Sequence, residues 1–208
     1  MGGMTGRREH WDTVYATKGE DEVSWFQEKP ERSLALIAQT GVIKSAAIID
    51  VGGGASRLID GLVDGGYTDT TVLDISARAV AVAQERMGRF QASVDWIVAD
   101  ITEWHPRRRY AVWHDRAVFH FLTEESDRAA YRRALDRALA PDGHAIVAAF
   151  GPDGPEKCSG LPVVRYGRDA MAAAFDGLLE LKEAVAEDHV TPAGKHQAFM
   201  FYRFVRAA

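Results

Sequence analysis

At 208 residues, with 47% hydrophobic and 26% charged side chains, the chain has the size and composition of one globular domain with a full core. Its 25 Lys and Arg stand against 30 Asp and Glu, a net charge of −5, which speaks against a dedicated nucleic-acid binder with a basic face. A single cysteine, Cys158, excludes an intramolecular disulfide and fits a reducing compartment; no run approaches the ~18 apolar residues of a membrane span, and the first residues lack the apolar stretch of a secretory signal, so a cytoplasmic protein is expected.

In chain order, Glu9–Tyr15 sets Trp11 and Tyr15 four apart, on one face of a helix. A charged loop, Lys18–Glu22, leads to the aromatic stretch Val23-Ser24-Trp25-Phe26-Gln27. Pro30 suits the first turn of a helix whose stripe is Leu34, Ile37 and Ala38 and which stops at Gly41. Residues 1–45 thus read as a helical, aromatic-rich cover segment on a single domain spanning 1–208.

From residue 46 the pattern alternates. A strand at 46–51 precedes a helix near 56–65, and a strand at 70–74 precedes a helix at about 76–88, with Ala79, Val80, Ala83 and Met87 spaced for burial. Strands at 94–99 and 110–114 follow, then a helix over 124–140 and a strand at 144–150. Such alternation implies right-handed crossovers and a parallel sheet covered on both faces. Gly151–Gly167 reads as a long loop, functional or mobile. A short helix at 168–175 precedes strands at 178–186 and 197–205, joined around Pro192 and Gly194. The expected fold class is α/β: a doubly wound, mostly parallel seven-stranded sheet with a terminal antiparallel strand pair and helices on both faces.

The most informative stretch is Ala46-Ala47-Ile48-Ile49-Asp50-Val51-Gly52-Gly53-Gly54. It reads as a buried strand, a tight turn and a helix N-terminus, where an open α/β sheet binds a nucleotide-like cofactor. Glycines there admit a ligand to backbone atoms that a Cβ would block. Asp74 closes the next strand and Asp100 the third. A dinucleotide fingerprint would need a glycine where Arg57 stands, and a P-loop would need Gly-Lys-Ser/Thr. Neither is present.

The three acids and the glycine turn resemble, over essentially the whole chain, the S-adenosylmethionine-dependent methyltransferases of the Rossmann-like class I. That resemblance implies S-adenosyl-L-methionine as cofactor. Asp74 would accept both ribose hydroxyls, and Ile75, Asp100 and Ile101 would receive the adenine. Asp50, Gly52, Gly53, Gly54 and Ser56 would meet the methionine end, with Trp11, Trp25 and Phe26 over its cation. The same aromatics could instead form a core flap without ligand contact.

At the carboxyl end of the fourth predicted strand the chain reads Trp113-His114-Asp115-Arg116-Ala117-Val118-Phe119-His120. His114, Asp115 and His120 are the groups best able to take a proton, and Arg116 could hold Asp115 or an anionic substrate. A structural Asp–Arg pair and a helix-capping His120 are the plainer alternatives. No metal is expected, since His114 and His120 lack a third ligand at suggestive spacing. The Asp115-Arg116-Ala117 segment, the loop Gly154–Pro162 and the stretch ending Phe26-Gln27 resemble thiopurine methyltransferases, which implies a small-molecule acceptor and favours a thiol. The triple glycine departs from that family. His10–Tyr15 is similar to an opening found among protein lysine methyltransferases, which makes a protein acceptor the alternative. A cofactor-binding regulator without turnover is the non-enzymatic one. Cys158 reads as a reactive thiol or an inert one, and His189 and His196 as a hairpin over the site or a solvated one. Oligomeric state is left open.

Overall fold

The computed structural model describes residues 4–207; Met1–Gly3 and Ala208, the ends of the expected 1–208 domain, lie outside the described residues. Seven strands form one sheet in the order β3-β2-β1-β4-β5-β9-β8. They are β1 (Ile48–Val51), β2 (Thr70–Asp74), β3 (Val94–Val98), β4 (Tyr110–Arg116), β5 (Leu139–Phe150), β8 (Leu179–Val190) and β9 (His196–Arg206). The first five run parallel, while β9 is antiparallel to both β5 and β8. This is the doubly wound sheet with a terminal antiparallel pair that the sequence pattern predicts. A two-strand hairpin, β6 (Lys157–Cys158) with β7 (Leu161–Pro162), lies inside the segment expected as a plain loop.

Every residue of β1 and β2 is buried, as expected of strands covered on both faces. Alternation then divides the core. Ile48, Val112 and Ile146 pack with Leu36 and Ile37 of α2 (Glu31–Gln39) and Leu58 and Leu62 of α3 (Leu58–Asp64). Ile49, Val51, Trp113 and Val147 pack on the other face with Tyr131 and Leu135 of α5 (Glu125–Ala138) and Met171 of α6 (Arg168–Ala174). Each fully buried Val, Ile or Leu is worth about 1.5–3 kcal/mol. A one-residue slip in any central strand would exchange its two faces, so the register is firmly set.

Helix α4 (Ala77–Met87) starts at Ser76, whose Oγ accepts from the Ala79 N–H at 3.1 Å. Helix α1 (Met4–Thr17) runs beyond the expected 9–15. β4 extends two residues past the predicted end, to Arg116; β8 and β9 are longer than expected and leave a short connection around Pro192 and Gly194. Among the described residues no helix is long and apolar enough to cross a membrane. Because β1 sits between β2 and β4, the strand order reverses at its carboxyl end, which is where such sheets open a ligand crevice.

Candidate cofactor and acceptor site

β1 runs into the glycine turn, and its backbone explains the residue choice. Gly52 has φ +69°, a conformation L side chains rarely adopt, and a Cβ there would stand 2.0 Å from Val118 Cγ2. A Cβ on Gly53 would meet Asp50 Oδ2 at 2.4 Å, and one on Gly54 would meet Asp74 Oδ2 at 2.6 Å. The turn is therefore glycine-only because two carboxylates and a valine crowd onto it.

Asp74 ends β2 and is buried. The Ser76 N–H donates to its Oδ1 at 2.8 Å. Burial raises its pKa to about 7; the Ser76 and Gly54 N–H groups oppose the rise, and the Asp50 and Asp12 carboxylates add to it. Asp100, beyond β3, accepts at Oδ1 from the Thr102 N–H and hydroxyl. Its Oδ2 lies 3.5 Å from Arg7 Nη1 but accepts no hydrogen bond among the described residues.

The polar cluster on β4 separates by strand alternation. Asp115 faces α5, fully buried, accepting from the Tyr131 hydroxyl (2.6 Å) and from the Val118 (2.8 Å) and Phe119 (3.1 Å) N–H groups. Burial raises its pKa to about 6 against those three donors. His114 and Arg116 point to the opposite face. His114 stands beside Asp50 in the parallel register, with Nδ1 2.7 Å from Asp50 Oδ1 and Nε2 2.8 Å from Ser33 Oγ. Arg116 does not pair with Asp115. It donates from Nη1 to the Trp25 carbonyl (2.8 Å) and lies 4.5 Å over the Phe199 ring, while Nε and Nη2 are shielded from solvent without a partner among the described residues. Burial lowers its pKa to about 10, so it stays a cation at neutral pH.

His120 sits on the 3₁₀ turn Phe119–Phe121, fully buried, its Nδ1 accepting from the Phe150 N–H at 3.4 Å. Burial and the Arg116 cation hold its pKa at about 3.

Two adjoining cavities open along this edge. The first is lined by Asp74, Ile75, Asp100, Ile101, Leu122 and Arg7, and by Trp11, Tyr15, Trp25, Phe121 and Cys158, among others. The second is lined by Asp50, Gly52, Gly53, Ser56, Phe26, His114 and Arg116, among others. Tyr15, Trp25, Gly52 and Arg116 border both. All twelve residues predicted for the cofactor except Gly54, which abuts Asp74, therefore line one cavity or the other, whereas Asp115 and His120 line neither. The aromatic stretch meets the site from outside: Trp11 packs edge-on against Trp25 (5.6 Å) and Phe121 (5.1 Å), and Trp25 Nε1 donates to the Tyr15 hydroxyl at 3.3 Å. Arg7, Phe121 and Leu122 are not singled out as site residues by the sequence, whereas Tyr15, four residues from Trp11, is a candidate for the aromatic cover. Cys158 is buried, and burial pushes its thiol up to about 11.

The residues fit the cofactor that the sequence resemblance implies. Ile75 and Ile101 line the first cavity together with two acids, Asp74 and Asp100, suited to a diol and an adenine edge. In the second cavity Asp50 Oδ2 and the free edge of Arg116 are shielded polar groups of opposite charge, neither with a partner among the described residues. Together they match a zwitterionic ammonium and carboxylate.

A family model described as a methyltransferase domain matches residues 48–143. The mouse eEF1A lysine and N-terminal methyltransferase is 22% identical over 142 residues, covering 68% of this chain; the chain spans only about a fifth (20%) of that relative's length. The structure described for conversion of a disulfide bond into a thioacetal group during echinomycin biosynthesis superposes with a TM-score of 0.77 at 21% identity, covering 96% of this chain and 92% of the other. The N-methyltransferase NodS from Bradyrhizobium japonicum WM9, in complex with S-adenosyl-L-homocysteine, superposes with a TM-score of 0.71 at 16% identity, covering 95% and 98%.

Proposed function

We propose that this chain, whose residues 48–143 match a methyltransferase-domain family model, is a Rossmann-like, S-adenosylmethionine-dependent methyltransferase that acts on a small-molecule nucleophile, a thiol before an amine or alcohol. The observation that carries the cofactor half is the pair of unsatisfied groups of opposite charge, Asp50 Oδ2 and Arg116 Nε/Nη2, on one cavity beside the glycine turn. S-adenosylmethionine supplies an electrophilic methyl group on a sulfonium. Asp74 accepts the ribose hydroxyls, while Asp50 and Arg116 hold the ammonium and carboxylate of the amino-acid end. Trp11, Trp25 and Phe121 exclude water and favour a cation, each aromatic face by ~0.5–2 kcal/mol.

The acceptor half rests on the absence of a poised base among the cavity-lining residues. Burial pushes the Tyr15 phenol and the Cys158 thiol up, the latter to about 11. Asp74 and Asp100 stand at the adenosine end, His114 is held on both ring nitrogens, and Asp115 and His120 are sealed in the core. An acceptor that arrives ionised, or with a free lone pair, needs only alignment and exclusion of water. A thiol meets this condition near neutral pH far better than an alcohol or a protonated amine. The neighbour described for disulfide-to-thioacetal conversion supports a sulfur acceptor. Cys158, a buried free thiol, supports a reducing, cytoplasmic setting.

The first test is calorimetric titration with S-adenosylhomocysteine and with 5′-methylthioadenosine, which keeps the adenosine half and lacks the amino-acid end. Arg116→Met is expected to weaken the first by about tenfold or more, ~1.4 kcal/mol, and to leave the second within twofold. No binding of either ligand by the parent protein at tens of micromolar would sink the reading. For the acceptor, a panel of small thiols, amines and phenols with labelled cofactor should give turnover on thiols first. A protein acceptor is the second reading, favoured by the likeness to the lysine and N-terminal methyltransferase; a labelled band from cell lysate, with silence on the small-molecule panel, would establish it. Binding without transfer on either panel would identify a regulator.

A further inference from the structure

We propose that Ser33 and His114 are positioning residues for the amino-acid end of the cofactor, acting through Asp50; this rests on the reading of the second cavity given above. Ser33 stands in the first turn of α2, fully buried. Its Oγ is 2.8 Å from His114 Nε2, and His114 Nδ1 is 2.7 Å from Asp50 Oδ1. All three residues are at most 3% exposed, and of the three only His114 and Asp50 line the cavity.

The proton order follows from the partners. A carboxylate can only accept, so the His114 proton sits on Nδ1 and donates to Asp50 Oδ1. In the neutral imidazole Nε2 then carries a lone pair, which accepts from the Ser33 hydroxyl. With Oδ1 held, rotation of the Asp50 carboxylate is blocked. Oδ2 is fixed against Gly53, at the position where a Cβ would stand 2.4 Å away, and it has no partner among the described residues. The relay therefore leaves one oxygen satisfied and holds the other, unpartnered, against the glycine turn that lines the cavity.

Packing alone does not account for this trio. Its surroundings on that face are Leu36, Ile37, Ile48 and Val112, and apolar side chains of similar volume pack such a site as well as a buried polar network does. A network that satisfies every polar atom but one, and leaves that one on a cavity-lining residue, is arranged for a ligand.

Ser33→Ala removes only the hydroxyl. It is expected to weaken S-adenosylhomocysteine about tenfold by calorimetry while 5′-methylthioadenosine stays within twofold; His114→Phe, close in volume, is expected to give the same split with a larger loss. Equal weakening of both ligands would make the trio a packing feature, and no weakening of either would make it idle. Each result overturns the proposal. Arg116→Met separates its failure from that of the cavity reading. If Arg116→Met splits the two ligands and Ser33→Ala does not, the cavity assignment stands and the relay falls. If Arg116→Met produces no split, the assignment itself has failed.

Discussion

Asp74 is buried at the end of β2, beside Gly54 and facing the Asp50 and Asp12 carboxylates, and burial holds its pKa at about 7. Ribose hydroxyls are donors, so the carboxylate is the binding form. Affinity for an adenosine ligand should accordingly rise with pH through about 7 and level off above it. 5′-Methylthioadenosine is the suitable probe, because it lacks the titrating amino-acid end. Between pH 6 and 8 its dissociation constant should fall about tenfold, as the ionised fraction of a group with that pKa grows. Asp74→Asn should bind more weakly and lose the pH dependence. A parent protein with flat affinity over this range would show that Asp74 does not accept the ribose.

At the scale of elements, α1 and the aromatic stretch after it form one wall of the site, tied down by side-chain contacts rather than by strand pairing. The Ser76 hydroxyl donates to Asp12 Oδ1 at 2.6 Å while its oxygen caps α4, Arg7 reaches Asp127 of α5, and Glu20 bridges Arg57 and Arg86. These ties are polar and partly buried, the ion-paired side chains 17–33% exposed, and none of their residues belongs to the buried apolar clusters, so the wall can open without unfolding the core. Asp12→Ala should speed release of S-adenosylhomocysteine several-fold, followed by stopped-flow fluorescence of Trp11 and Trp25, with little change in thermal midpoint. An unchanged release rate would mean that α1 does not gate the cavity. Much of this was legible beforehand. The run Ile48–Val51, the turn glycines and the acids ending β2 and β3 are local signals, and the cavities form around them. The split of the β4 cluster was not read, because the strand was ended at His114; carried to Arg116, simple alternation already places Asp115 on one face with His114 and Arg116 on the other. The contact of Ser33 with His114 joins residues 81 apart in sequence. No local pattern announces it, since it arises only when α2 packs across β1 and β4.

The whole molecule gathers acids at the point where its strand order reverses: Asp50 and Asp74 meet the same glycine turn, and Asp12 is brought in by α1. Such a gathering favours a ligand at the expense of the empty fold. Asp74 has an ordinary carboxyl pKa near 4 when the chain is unfolded and about 7 when folded. Between those values the folded protein holds a proton that the unfolded chain releases. Raising the pH from about 4 to about 7 therefore drains stability from the folded state, and above 7 the loss is complete. Asn cannot titrate, so Asp74→Asn should melt progressively higher than the parent across that window. In the absence of ligand the difference should be largest at pH 8 and smallest near pH 4.5. Excess S-adenosylhomocysteine should narrow the difference at pH 8, because a ligand at a hundred times its dissociation constant adds about 2.7 kcal/mol to the form that binds it. At ~2–4 °C per kcal/mol for a domain of this size, that is a rise of several degrees in the parent and little in the variant. Differential scanning calorimetry at pH 4.5 and 8, with and without ligand, measures all of these terms. An Asn variant no more stable than the parent at pH 8 without ligand would show that burying Asp74 costs the fold nothing, and the argument that the crevice is built for its ligand against its own stability would fall.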